Sequence, residues 1–387
     1  MIRPLRVTLV CCVLAAAGCS GSGSDSTAES TTTASETAPP TAEIVASRGD
    51  MPEDVADELE SAVVDVMNEA GIPGAFVGVS VPGLGRWETV AGTADLDTGE
   101  PVEFGFHWPV RSLTKSMVVT RLLQLVDEGT VNLDDTVDQY VEGVPNGDTI
   151  TLRQLADMSA GLANYTATDA FLESFTSDPD QLYTIEDLNE FAFTGEPEFP
   201  PGSEHSYSNT NTNVLGQVIE TAGDAPLGDQ LATDVFEPLG MGDTEYLPDA
   251  LAEPAATGYQ PGPDGYEEPP NNFSGMGPSG AVVSTSDDLF IWAEALGTGA
   301  LISDALQNER LAAEPLAEGP VYDAYGLGIG TRLGYWGHTG QGLGFTALAM
   351  RDPDTDATVV VLANASETEP QPMDGLFAAV AEVLDAP

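Results

Sequence analysis

The stretch Arg-Ser-Leu-Thr-Lys at 111–115 carries the only lysine of a 387-residue chain, three positions after a serine. A serine hydroxyl is a weak nucleophile until a base takes its proton, and a desolvated lysine amine is one such base. Leu113, Met117, Val118, Leu122, Leu125 and Val126 follow helical spacing, which predicts a helix from Ser112 to Glu128 ended by Gly129. It is apolar over most of its surface, hence buried. On it Ser112 and Lys115 share a face, and the N–H groups of its first turn favour an oxyanion beside Ser112. The bland alternative is a serine cap with a lysine reaching to solvent. An arginine would serve there, and ten of the eleven cations are arginine. Ser112 is therefore the candidate nucleophile and Lys115 its partner.

Two further stretches carry polar groups that such a pair could use. In Tyr207-Ser208-Asn209, a Pro-Gly loop leads to a tyrosine and then a helix. A tyrosine titrates near ~10, too high for a base at neutral pH. An ammonium such as Lys115 nearby would lower that value and make Tyr207 a proton relay. Asn209 would present its amide to the substrate or to Lys115; taken alone, the stretch reads rather as a packed tyrosine with a capping asparagine. In His338-Thr339-Gly340-Gln341, a histidine lies among closely spaced glycines at the end of a strand, where glycine permits close backbone approach. Histidine changes charge near pH ~6.5, so His338 predicts a pH-dependent site. His107, His205 and His338 are scattered, so neither a metal site nor a cofactor is expected.

These residues need a scaffold. Residues 52–71 read as an amphipathic helix capped by Gly71, and two strands follow in 74–83 and 85–99. The middle of the chain, from about 106 to 280, reads as loop-rich and helical, with helices near 186–193 and 211–222. Strands return in 334–340, 344–352 and 357–364, before a closing helix around 373–384. The fold class expected is α/β: one antiparallel sheet built from both chain ends, flanked by helices, with a helical insertion. The stretches around 164–200 and 259–278 offer no regular pattern.

Residues 1–18 show two arginines, a short apolar run and small residues, the layout of a secretory signal. Cys11, Cys12 and Cys19 are the only cysteines, so the folded region is expected to hold no disulfide. Ala-Ala-Ala-Gly-Cys at 15–19 resembles a bacterial lipoprotein signal, which makes Cys19 the candidate lipidation site. Residues 19–50 begin with a Ser/Thr/Gly/Glu-rich run too poor in apolar residues to fold, and read as a tether, leaving 51–387 as the catalytic domain. The expectation is an exported protein held by lipid at the outer face of the cytoplasmic membrane, touching the membrane through that anchor alone. The net charge of −52 excludes nucleic acid as a partner, because the phosphate attraction has the wrong sign. It also fits adaptation to high salt, where screening shortens self-repulsion.

Taken jointly and in this order, the three motifs resemble the penicillin-recognising serine hydrolases, in the branch of class C β-lactamases, D-alanyl-D-alanine carboxypeptidases and related esterases. The similarity runs from about residue 53 to 384 and includes Asn211–Glu220 and Gly280–Leu296. It implies a serine β-lactamase-like fold with the active site in a groove beside the helical region. Ser112 would form an acyl-enzyme, Lys115 and Tyr207 would handle its proton, and Asn209 would help position the substrate amide. The strand bearing His338, Thr339 and Gly340 would pair with the substrate backbone, and the N–H groups of Ser112 and Gln341 would form the oxyanion hole. Such a hole is worth about 3–4 kcal/mol per donor. The lactamases of this branch usually have lysine where His338 stands, and the later motifs of class A are absent. Weight therefore moves to a small-molecule or peptide substrate such as a cell-wall D-alanyl-D-alanine end. A small-ester hydrolase, a weak β-lactamase and a non-catalytic surface-binding module remain as alternatives.

Overall fold

The computed structural model describes residues 41–385 apart from 264, 318, 320, 321 and 369. The expected leader, Cys19 and most of the expected tether lie outside these residues. Five longer helices are α1 (Glu53–Ala70), α2 (Thr114–Asp127), α3 (Asn209–Gly223), α4 (Ser286–Thr298) and α5 (Pro372–Leu384). The sheet takes β1 (Ile44–Gly49), β2 (Gly74–Val81) and β3 (Gly85–Asp95) from before the nucleophile segment. From after it come β4 (Ala324–Tyr325), β5 (Gly330–Arg332), β6 (Tyr335–Gly342), β7 (Phe345–Arg351) and β8 (Thr358–Ala363). Their order is β1-β3-β2-β8-β7-β6-β5-β4, with every neighbouring pair antiparallel.

Period-two alternation decides which helices cover which face. Ala75, Val77 and Val79 of β2 and Val359, Val361 and Ala363 of β8 meet Leu59, Val63 and Met67 of α1 and Leu376, Phe377 and Val380 of α5. The intervening residues Phe76, Val360 and Leu362 join Leu122 of α2 and Leu289 and Trp292 of α4 on the opposite face. Buried on both faces, β2 and β8 are almost wholly apolar. This sandwich anchors α2, and the 3-10 turn leading into it carries the candidate nucleophile.

Most expected elements have observed counterparts, including α1 with Gly71 at φ 66° as its left-handed cap, and the helices at Ile185–Phe193 and α3. Three departures have clear causes. Residues 44–49, expected within the tether, form the edge strand β1, paired with Trp87–Ala91. Their side chains are largely exposed, so no apolar alternation marks them; backbone bonds to β3 hold them in place. The helix expected from Ser112 begins two residues later, at Thr114, because Arg111–Leu113 form a 3-10 turn ahead of α2. The irregular stretches contain a helix at Asp169–Ser177 and a hairpin of Gln260–Gly262 with Gly265–Glu267.

Because β1 covers the β3 edge and Ala42 is buried beside it, a chain starting at residue 51 should melt at least several degrees below one starting at 41, about 2–4 °C per kcal/mol lost. Equal melting temperatures in calorimetry would return 44–49 to the tether.

Candidate active site

The nucleophile turn is clamped from both sides. His107–Pro109 pairs with Val283–Thr285 and delivers the chain to Val110, whose N–H donates to the Val282 carbonyl at 3.0 Å. Arg111 then adopts φ 52°, a left-handed conformation that a non-glycine residue adopts only at a cost. Its buried guanidinium offsets that cost: Nε donates to the Gly342 carbonyl at 3.0 Å, and Nη2 to Leu343 O at 3.1 Å and Asn271 Oδ1 at 2.9 Å. Burial without a carboxylate pushes the Arg111 pKa down to about 9. This sharp bend leaves Ser112 partly accessible between buried neighbours. On the other side, a Cβ at Gly340 would sit 2.0 Å from Val110 O and 2.9 Å from Ser112 N, so β6 reaches the turn only because residue 340 is glycine.

Lys115 is fully buried, with Nζ 2.9 Å from Ser112 Oγ and 2.7 Å from the Ser279 carbonyl. Burial drives its pKa well below the usual 10.5, which favours the neutral amine. Nζ donates to Ser279 O and lies within hydrogen-bond reach of the Ser112 hydroxyl, toward which a neutral amine can turn its lone pair. The Ser279 carbonyl is held by a 3-10 turn at Gly277–Ser279, and Asn213 Oδ1 accepts the Ser279 N–H at 3.1 Å.

Tyr207 lies with its ring centroid 5.0 Å from Lys115 Nζ. Its hydroxyl is buried and forms no hydrogen bond, although Ser112 is near enough to act on it. Burial above all, and Tyr322 in addition, raise its pKa well above 10.0, with the Ser112 hydroxyl pulling weakly the other way. The expected lowering by a Lys115 ammonium is therefore reversed, because burial of the phenol outweighs it. Burial thus favours the amine at Lys115 and the phenol at Tyr207, the forms in which one could accept a proton beside Ser112 and the other donate one.

Asn209, expected on Lys115 or the substrate, instead donates from Nδ2 to Thr166 Oγ1 at 2.9 Å. One helical turn on, Asn213 takes the supporting position. Thr339, Gly340, Gln341 and Ser112 line one cavity of about 290 Å³ together with Glu367, Gln371, Met373 and Asp374.

His338 departs most from expectation. It is fully buried behind the strand, with Nε2 2.9 Å from Tyr325 Oη and Nδ1 2.6 Å from Thr339 O, and it does not line the cavity. Burial above all lowers its pKa to about 3, and any proton on Lys115 would oppose its charging further. It thus stays neutral from pH 5 to 8, and the titration expected near 6.5 disappears. Sequence reasoning also passed over Arg111, Asn213, Ser279, Tyr322, Tyr325 and Glu367. Only the Gly-Pro-Ser-Gly run at 277–280 offered a local signal, that of a turn.

The sequence profile described as beta-lactamase matches residues 59–382. The chain belongs to the beta-lactamase family. Among similar proteins, a D-aminopeptidase of Cereibacter sphaeroides (strain ATCC 17029 / ATH 2.4.9) is 28% identical over 337 residues, covering 84% of this chain and 63% of the relative. The chain thus spans somewhat under two thirds of that relative's length. A D-stereospecific amidohydrolase from Streptomyces sp. superposes with a TM-score of 0.71 at 29% identity, over 85% of this chain and 96% of the other. A D-amino acid amidase from Ochrobactrum anthropi SV3 gives a TM-score of 0.77 at 25% identity, over 86% and 100%. The β-lactamase-like fold and the serine hydrolase class expected from the motifs are those of these relatives.

Two outcomes follow from this geometry. His338 folds neutral but takes up a proton when unfolded below pH 6.5, so its stabilising contribution is present above 6.5 and is lost as pH falls toward 3. Denaturant titrations should show His338→Gln removing up to ~1.4 kcal/mol per pH unit of that slope; identical slopes in parent and variant would place the imidazole in water. Gly340→Ala should lower the rate of Ser112 acylation by about 100-fold or more, since displacements near 1 Å carry that cost. An unchanged rate would show that β6 does not support the turn.

Proposed function

We propose that this protein hydrolyses the amide bond of small substrates bearing a free amine, D-amino acid amides or short D-aminoacyl peptides, through an acyl-enzyme on Ser112. The carrying observation is the cavity beside Ser112: Glu367 and Asp374 line it, and no lysine or arginine does. Asp374 is also bridged by Arg332 at 2.8 Å, and Glu367 adds a second carboxylate to the lining, so an ammonium meets negative charge there. A penicillin or the D-alanyl-D-alanine end of a longer peptide has its amine acylated, so it brings a carboxylate and no ammonium for this lining to pair with. The names of the relatives support the same reading, and it displaces carboxypeptidase activity as the first choice.

In the proposed cycle, neutral Lys115 takes the Ser112 proton as Oγ bonds to the carbonyl carbon. The oxyanion is held by the N–H groups of Ser112 and Gln341. Tyr207 gives its phenolic proton to the departing nitrogen and is reprotonated from Lys115. Water then cleaves the ester, restoring Ser112. Secretion and anchoring at Cys19 would place this activity outside the cell.

D-Alanine amide should be hydrolysed with loss of all activity in Ser112→Ala. Glu367→Gln should raise KM about tenfold for the free amine, ~1.4 kcal/mol, and leave the N-acetylated amide unaffected. Preference for N-acetylated or carboxyl-ended peptides over the free amine would reverse the assignment.

A further inference from the structure

Residues 337, 339 and 341 of β6 turn their backbone groups away from β7, because antiparallel pairing alternates the bonded side. Gly337 is met by Gly330 of β5. Among the described residues no strand lies beside Thr339, yet its N–H donates to Tyr322 Oη at 2.8 Å. Its carbonyl lies 2.6 Å from His338 Nδ1. A carbonyl carries no proton, so Nδ1–H is the donor and Nε2 accepts from Tyr325, 2.9 Å away. A protonated Nδ1 offers Tyr322 no lone pair, so the Tyr322 proton goes to Thr339 Oγ1 at 2.7 Å. The N–H that a docking chain would use at Thr339 is already bound, and the next outward N–H on this edge is that of Gln341.

We propose that Tyr322 is a length gate for the leaving group, restricting the enzyme to amides that release ammonia or a single amino acid. The inference rests on the reading of Ser112 as the acylated nucleophile. A substrate that joins this antiparallel sheet runs opposite to β6. Its acyl residue then faces Gln341, and the chain beyond the scissile bond faces Thr339. A long leaving group would need the backbone bond that Tyr322 holds. The gate is fixed in place: a Cβ at Gly330 would lie 2.3 Å from the Tyr322 ring, so the ring sits directly on that strand. The same side is covered near Tyr207, since a Cβ at Gly319 would lie 2.5 Å from Tyr207 Cβ and Ala317 N–H donates to His205 O at 2.6 Å. Tyr322 acts through the strand and not on the reacting atoms, which makes it a positioning residue.

The test compares D-alanine amide, D-alanyl-glycine, D-alanyl-diglycine and D-alanyl-tetraglycine on the full chain and on Tyr322→Phe, which keeps the ring and removes the hydroxyl. In the parent, kcat/KM should fall at least tenfold between D-alanyl-glycine and D-alanyl-tetraglycine. In Tyr322→Phe that ratio should shrink to threefold or less, chiefly through KM for the long member. A variant that merely loosens the site would slow every member by the same factor and keep the parent ratio, which would overturn the gate. So would a parent with flat length dependence. If no member acylates Ser112 by intact mass, the underlying reading fails and takes the gate with it.

Discussion

A lysine amine buried with no carboxylate partner among the described residues, 2.9 Å from a serine hydroxyl, is the constraint around which this molecule is arranged. Burying an ammonium alone costs several kcal/mol, and the inexpensive escape is loss of the proton. The fold enforces that escape by surrounding Lys115 with α2, α3 and the Gly277–Ser279 turn, and by giving it a carbonyl instead of a carboxylate. In a chain with 63 acidic residues, no carboxylate among the described ones forms an ion pair with this amine, which is itself a specification. One carboxylate at hydrogen-bonding distance would hold the proton on nitrogen and disable the base.

The rest of the site can be understood as what a neutral base requires. Ser112 must stand on a bend that exposes it, and Arg111 fixes the bend by bonding the β6–β7 hairpin and Asn271. β6 must come close enough to offer backbone donors, which Gly340 permits. Behind β6, the phenols of Tyr322 and Tyr325 and a neutral imidazole settle the direction of each proton, so the strand is wired before substrate arrives. Among the described residues the Tyr207 hydroxyl is buried without a hydrogen-bond partner, where the proposed cycle needs a donor.

Much of this was legible in the sequence because it rests on local periodicity and rare residue types. The lone lysine three positions after a serine, the apolar α2 and the alternating strands near both ends all declare themselves within a window of twenty residues. What stayed hidden depends on partners far along the chain or on backbone shape. Nothing near His338 signals that Tyr322 and Tyr325 bury it, so it read as a titrating group at the groove. Asn209 and Asn213 are equivalent in pattern, and only the turn at 277–279 selects the second. β1 has exposed side chains and an ordinary composition; its strand character comes from β3. Arg111 and Gly340 are explained by a close approach between segments more than two hundred residues apart.

The single lysine also makes the central claim directly measurable. Protein labelled with 15N at the lysine side chain gives one ζ-nitrogen resonance, which can be followed through a pH titration of the resting enzyme. The account predicts a neutral-amine shift already at pH values well below 10.5, and a return to an ammonium only on acidification. An ammonium shift that persists until pH 10.5 would contradict it, and would leave Ser112 without its base.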